Sequence, residues 1–204
     1  MKAVLMSVKP NWCVPIASGE KTVEVRKTVP KLDLPFKCYI YCTSSNVHEC
    51  LMLNEVGVKL IYATNYKTAI PFGGHIGNGK VIGEFICDNI SFTDIVNGNE
   101  EVGWYVNNMY AMKGSCLDEY DILNYCPKEA TIYGWHISKL LIYKEPKELS
   151  SFYTVCKMDC EYCEMWGSVR VNAEEFDMDC KSDWFNHKPL KRPPQSWCYV
   201  ETLK

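Results

Sequence analysis

No stretch of this 204-residue chain is apolar for long enough to cross a bilayer, so no membrane partner is expected. The opening Met1-Lys2-Ala3-Val4-Leu5-Met6-Ser7-Val8 is too short for a secretion signal and has no cleavage site, which predicts an intracellular, cytoplasmic protein. A basic excess is also missing: 22 Lys and Arg stand against 25 Asp and Glu, for a net charge of -3. Proteins that coat nucleic acid carry a basic footprint, so coating is disfavoured, while a cleft that reads one nucleotide is not. Internal repeats and low-complexity tracts are absent. The glycine-rich stretch from Phe72 to Gly79 lacks the Lys-Ser/Thr ending of a phosphate loop and reads as a loop leading into a strand.

Cysteine is abundant instead, with twelve residues. Without a secretion signal, these do not predict a disulfide framework. Eight are scattered, mostly among apolar neighbours, where they behave as small hydrophobes. Four cluster as Cys156-x3-Cys160-x2-Cys163 followed by Cys180. The two-residue gap lets a pair of thiolates turn onto one metal, and four thiolates make a closed tetrahedral structural zinc site. His187 and Cys198 are alternative fourth ligands; buried free thiols are the competing reading. Residues 156–180 are also acidic and 181–192 basic, a pattern that a solvated face alone explains.

Ala3–Val8 reads as a first strand, and alternation predicts strands at Lys37–Thr43, Lys80–Ile90 and Thr131–Tyr143. Pro10 suits the first turn of a short helix in which Trp12 and Ile16 share a face, with Pro15 limiting its length. A second helix is expected over Leu117–Cys126, with Leu117, Tyr120, Ile122 and Leu123 inward. Residues 47–70 read as short helical or irregular pieces, and Asp94–Met109 as a loop or helical turn.

The organising stretch is Ser18-Gly19-Glu20-Lys21-Thr22-Val23-Glu24-Val25-Arg26-Lys27. Gly19 is placed to end the first helix in the left-handed conformation. Beyond it, Thr22, Glu24 and Arg26 share one face of an extended chain and Val23 and Val25 the other. A surface strand kept soluble by its polar face carries the same pattern, so spacing alone leaves a site and a solvated face both open.

Lys9-Pro10-x-Trp12, Gly19-x-Lys21-x-x-Glu24-x-Arg26, Gly79-Lys80-Val81-Ile82-Gly83 and Tyr133-Gly134-Trp135-His136-Ile137 resemble, in that order, the landmarks of the ASCH family, a branch of the PUA-like β-barrels. The whole chain, with its Arg192–Val200 segment, is similar to ASCH proteins of bacteriophages and Gram-positive mobile elements. The resemblance implies an α+β fold: a twisted PUA-like β-barrel flanked by short helices over residues 1–147. Residues 148–204 would then form a small cysteine-rich extension packing back on the barrel. It also implies RNA or a modified nucleotide or nucleoside as ligand. Lys21 and Arg26 suit phosphate or a base edge, and Glu24 suits exocyclic amines. Thr22 and Lys9 lie beside them, and Trp12, Tyr133 or Trp135 offer stacking faces, unless those aromatics are core. Some ASCH proteins are amidohydrolases acting on acetylated cytidine, and others are described as ribonucleases. In the amidohydrolase pattern a lysine and a threonine three positions later carry the chemistry. Lys21 matches the lysine, but Glu24 occupies the threonine position, leaving a Lys21–Glu24 acid–base pair as the catalytic alternative. A third reading is a mobile-element module that binds a host protein through its acidic segment.

Overall fold

The computed structural model describes residues 2–44, 49–62, 74–99, 103–155 and 188–203. Along the chain run β1 (Lys2–Val8), α1 (Pro10–Ala17), β2 (Val23–Arg26), β3 (Phe36–Cys42), β4 (Glu49–Asn54), β5 (Gly57–Tyr62) and β6 (His75–Ile76). Then come β7 (Lys80–Cys87), β8 (Ile90–Asn97), β9 (Trp104–Val106), α2 (Glu119–Tyr125), β10 (Thr131–His136), β11 (Ser138–Glu148) and β12 (Trp197–Glu201). Among the described residues strands outnumber helices and the two α-helices are short, the α+β class expected from the sequence.

Three sheets share the core. One has the order β11-β7-β3-β1-β12, the second β2-β10-β8-β9 and the third β5-β4-β6. Within the first, β1 and β3 are parallel and the other pairs antiparallel. β1 is apolar throughout Ala3–Met6, as suits a strand with both of its faces covered. Val4, Met6 and Val8 join the main core with α1, β4 and Trp135, while Ala3 and Leu5 face a second cluster containing Tyr39, Phe152 and Val200. A third cluster forms between the second sheet and α2, from Val25, Ile95, Ile122 and Ile132.

Residues 47–70, expected to be helical or irregular, contain the β4–β5 hairpin. The Asn54 side chain accepts from the amides of Val56 and Gly57, and Gly57 turns with φ +138°, so turn chemistry rather than periodicity defines the element. Asp94–Met109 likewise holds the end of β8 and all of β9. The long strand expected over Thr131–Tyr143 divides at Ile137. β10 belongs to the second sheet and β11 to the first, with Lys139 in the left-handed region at φ 47°. α2 starts on an Asp118–Asp121 capping box and buries Ile122, but Tyr120 points to solvent.

Cys156, Cys160, Cys163, Cys180 and His187 lie outside the described residues. Of the scattered cysteines, Cys13, Cys38, Cys42, Cys50, Cys87 and Cys126 are buried, Cys198 is half-buried and Cys116 is exposed. No group of three potential metal ligands occurs among the described residues.

Candidate functional site

α1 begins with Pro10 at its first turn and ends at Ser18, after which Gly19 takes φ +80°. The chain then reverses into β2, with the Lys21 amide bonded to the Pro15 carbonyl at 2.8 Å. This reversal points Lys21 inward beneath Trp12, whose ring centroid is 5.1 Å from Nζ. Its ammonium donates to the Ser115 carbonyl and lies 3.6 Å from Glu24 Oε2. Arg26 Nη2 is 3.0 Å from Glu24 Oε1 and donates to the Ser7 carbonyl at 2.7 Å. Lys21, Glu24 and Arg26 are 2%, 8% and 5% exposed, so the solvated-strand reading fails for these three charges. Thr22, by contrast, is exposed, and so is Lys9 at the start of α1.

Cross-strand register completes the site. Trp135 lies opposite Glu24, and Tyr133 opposite Arg26, in the antiparallel β2–β10 pair. Opposed residues share a face, so the two aromatics stand beside the charges. Trp135 is fully buried, packing edge-on against Phe36 with centroids 5.7 Å apart and tilted against Trp197 at 5.9 Å. Its core role is therefore real. Yet its Nε1, together with Glu24 Oε2 and Arg26 Nε, has no hydrogen-bond partner among the described residues. Buried polar atoms are nearly always bonded, each orphan costing about 1–3 kcal/mol, so three together set this cluster apart from an ordinary core.

Electrostatics agree. Burial lowers the Lys21 pKa, the Glu24 carboxylate opposes that shift, and Arg26 adds to it. Two cations meet one carboxylate, an excess of one positive charge held away from water. The thiols beneath are inert: burial, then a hydrogen bond with Cys42, pushes Cys13 well above the ordinary thiol range, and burial raises Cys38. Burial also raises the Tyr125 hydroxyl pKa against the pull of nearby Arg26.

Several contributors carry no sequence signature. Ser7 and Ser115 act through carbonyls, and the Gly114 carbonyl accepts from the amides of Thr22 and Val23 at 2.8 and 3.0 Å. Gly114 has φ +86°, and a Cβ there would run into the Thr22 hydroxyl. His136 lies apart from the trio, bonding through Nδ1 to Asp88 Oδ1 at 2.6 Å. An open hollow of about 320 Å³ between Asp94–Asn97 and Glu129–Thr131 is lined by none of the trio.

Three ASCH crystal structures are similar to this chain. The ASCH protein from Zymomonas mobilis is 16% identical, with a TM-score of 0.42 over 98% of this chain and 87% of that one. A serine-to-alanine variant of it is 15% identical, with a TM-score of 0.44 over 98% and 88%. A tyrosine-to-phenylalanine variant is 18% identical, with a TM-score of 0.41 over 72% and 73%. No family model matches the chain, and no curated protein does.

Proposed function

We propose that this protein binds RNA or a modified nucleotide or nucleoside through Lys21, Glu24 and Arg26, as the resemblance of its motifs to ASCH proteins implies. The observation that carries the reading is the set of orphaned atoms around the buried trio: one acceptor, Glu24 Oε2, and two donors, Arg26 Nε and Trp135 Nε1. A nucleobase edge offers the complement, an exocyclic amine for the carboxylate and carbonyl or ring-nitrogen acceptors for the donors. The surplus positive charge suits a phosphate. Arg26→Ala and Glu24→Gln should each weaken binding by about 1–3 kcal/mol, the value of a charge-assisted hydrogen bond in a cleft. Titration of modified nucleosides, nucleotides and short single strands, with melting followed alongside, tests this. Absence of binding by every nucleic-acid component would refute it.

Hydrolysis at the same cleft has one observation in its favour. Burial lowers the pKa of Lys21, whose Nζ is 3.6 Å from a carboxylate oxygen, an arrangement suited to a lysine general base paired with Glu24. Deacylation of acetylated cytidine, lost in Lys21→Ala, distinguishes turnover from recognition.

A further inference from the structure

Two rows of side chains cross the second sheet on the face that carries the charges. Glu24, Trp135 and Ile90 are opposed in one row, and Arg26, Tyr133 and Phe92 in the next. Exposure rises sharply along them. Trp135 is fully buried and Arg26 is 5% exposed, Tyr133 is half-buried, and Phe92 stands 64% exposed in mid-strand. An aromatic presented from a rigid strand, continuous with a buried cationic site, is the arrangement by which proteins stack the bases of single strands. The hollow beyond it has Asp94 and Glu129 in its lining, carboxylates that repel a phosphate backbone and bound the row on that side.

We infer that Phe92, with Tyr133 beside it, forms a second base-stacking subsite, so that the ligand is a single strand of at least two nucleotides rather than a lone nucleoside. This rests on the nucleotide-binding reading of the trio. The net charge of -3 is compatible with it, because stacking supplies affinity that phosphate neutralisation does not.

The test uses the intact protein and two probe sets, the four nucleoside 5′-monophosphates and the four homotetranucleotide RNAs, titrated by calorimetry. Tetranucleotides should bind at least about fivefold tighter than the matching monophosphates. Phe92→Ala should abolish that gain while leaving monophosphate affinity and melting temperature unchanged, and Phe92→Trp should restore it. Arg26→Ala should weaken both probe sets. Monophosphate binding that is sensitive to Arg26 but shows no gain in the tetranucleotides overturns the stacking subsite alone. A Phe92→Ala loss shared equally by both probe sets also overturns it. No binding by either set overturns the reading of the trio as well. Self-association abolished by Phe92→Ala would make the face a contact between copies and overturn the subsite.

Discussion

Trp135 and Glu24 face each other across the β2–β10 pair, and each keeps one buried polar atom, Nε1 and Oε2, without a hydrogen-bond partner among the described residues. The indole ring is held by the core, edge-on to Phe36 and tilted against Trp197, while its donor stays unbonded in the row that carries Glu24.

Replacing Trp135 by Phe separates these roles. The lost ring volume destabilises, but the change also removes an orphaned donor whose burial costs about 1–3 kcal/mol. The net stability loss should therefore stay below the roughly 3–5 kcal/mol typical of truncating a core aromatic to alanine. If the proposed site takes a nucleotide, affinity should fall, because the change removes a donor that reading assigns to the ligand. Denaturant melts and titrations of one preparation check both; unchanged affinity would remove Trp135 from the site.

Lys21 predicts an alkaline effect on stability. Its folded pKa lies below the ordinary value of 10.5, so above the folded pKa the unfolded chain holds more protons. Its unfavourable contribution is fully present below the folded pKa and is relieved as pH rises from there towards 10.5. Lys21→Met should flatten that rise relative to the native chain. Parallel melts across the alkaline range measure the difference, and identical profiles would show that Lys21 does not titrate differently on folding.

Gly114 should not tolerate a side chain. Its φ of +86° disfavours L-residues, and a Cβ there would meet the Thr22 hydroxyl. Gly114→Ala should cost about 1–3 kcal/mol and weaken nucleotide binding, since Gly114 braces the start of β2 and Ser115 next to it anchors Lys21. A thermal melt matching the native protein would contradict this.

Cys156, Cys160, Cys163 and Cys180 should hold one structural zinc. The motive is their spacing in a segment with little apolar material, which a metal site would help to fold. Elemental analysis of protein purified without added metal should find close to one equivalent. Below about a tenth of an equivalent, with stability unaffected by chelation, the cysteines are free thiols.

The sequence by itself determined the local elements whose signals are local. Pro10 starts α1, Gly19 turns the chain after it, alternation sets Glu24 and Arg26 against Val23 and Val25, and Ala3–Val8 forms a first strand. Strands defined by their turns or by distant partners were not legible: β4 and β5 depend on the Asn54–Gly57 turn, and the division at Ile137 depends on which sheet each half joins. The same limit applied to the site. Alternation placed Glu24 and Arg26 on one face, but whether that face met water was decided by Trp135 across the strand pair, the Ser7 carbonyl from β1 and the Ser115 carbonyl from a loop more than ninety residues further on. Backbone carbonyls and cross-strand register leave no mark on residue type, so only the tertiary structure could turn a polar strand face into a buried, partly unsatisfied charge cluster.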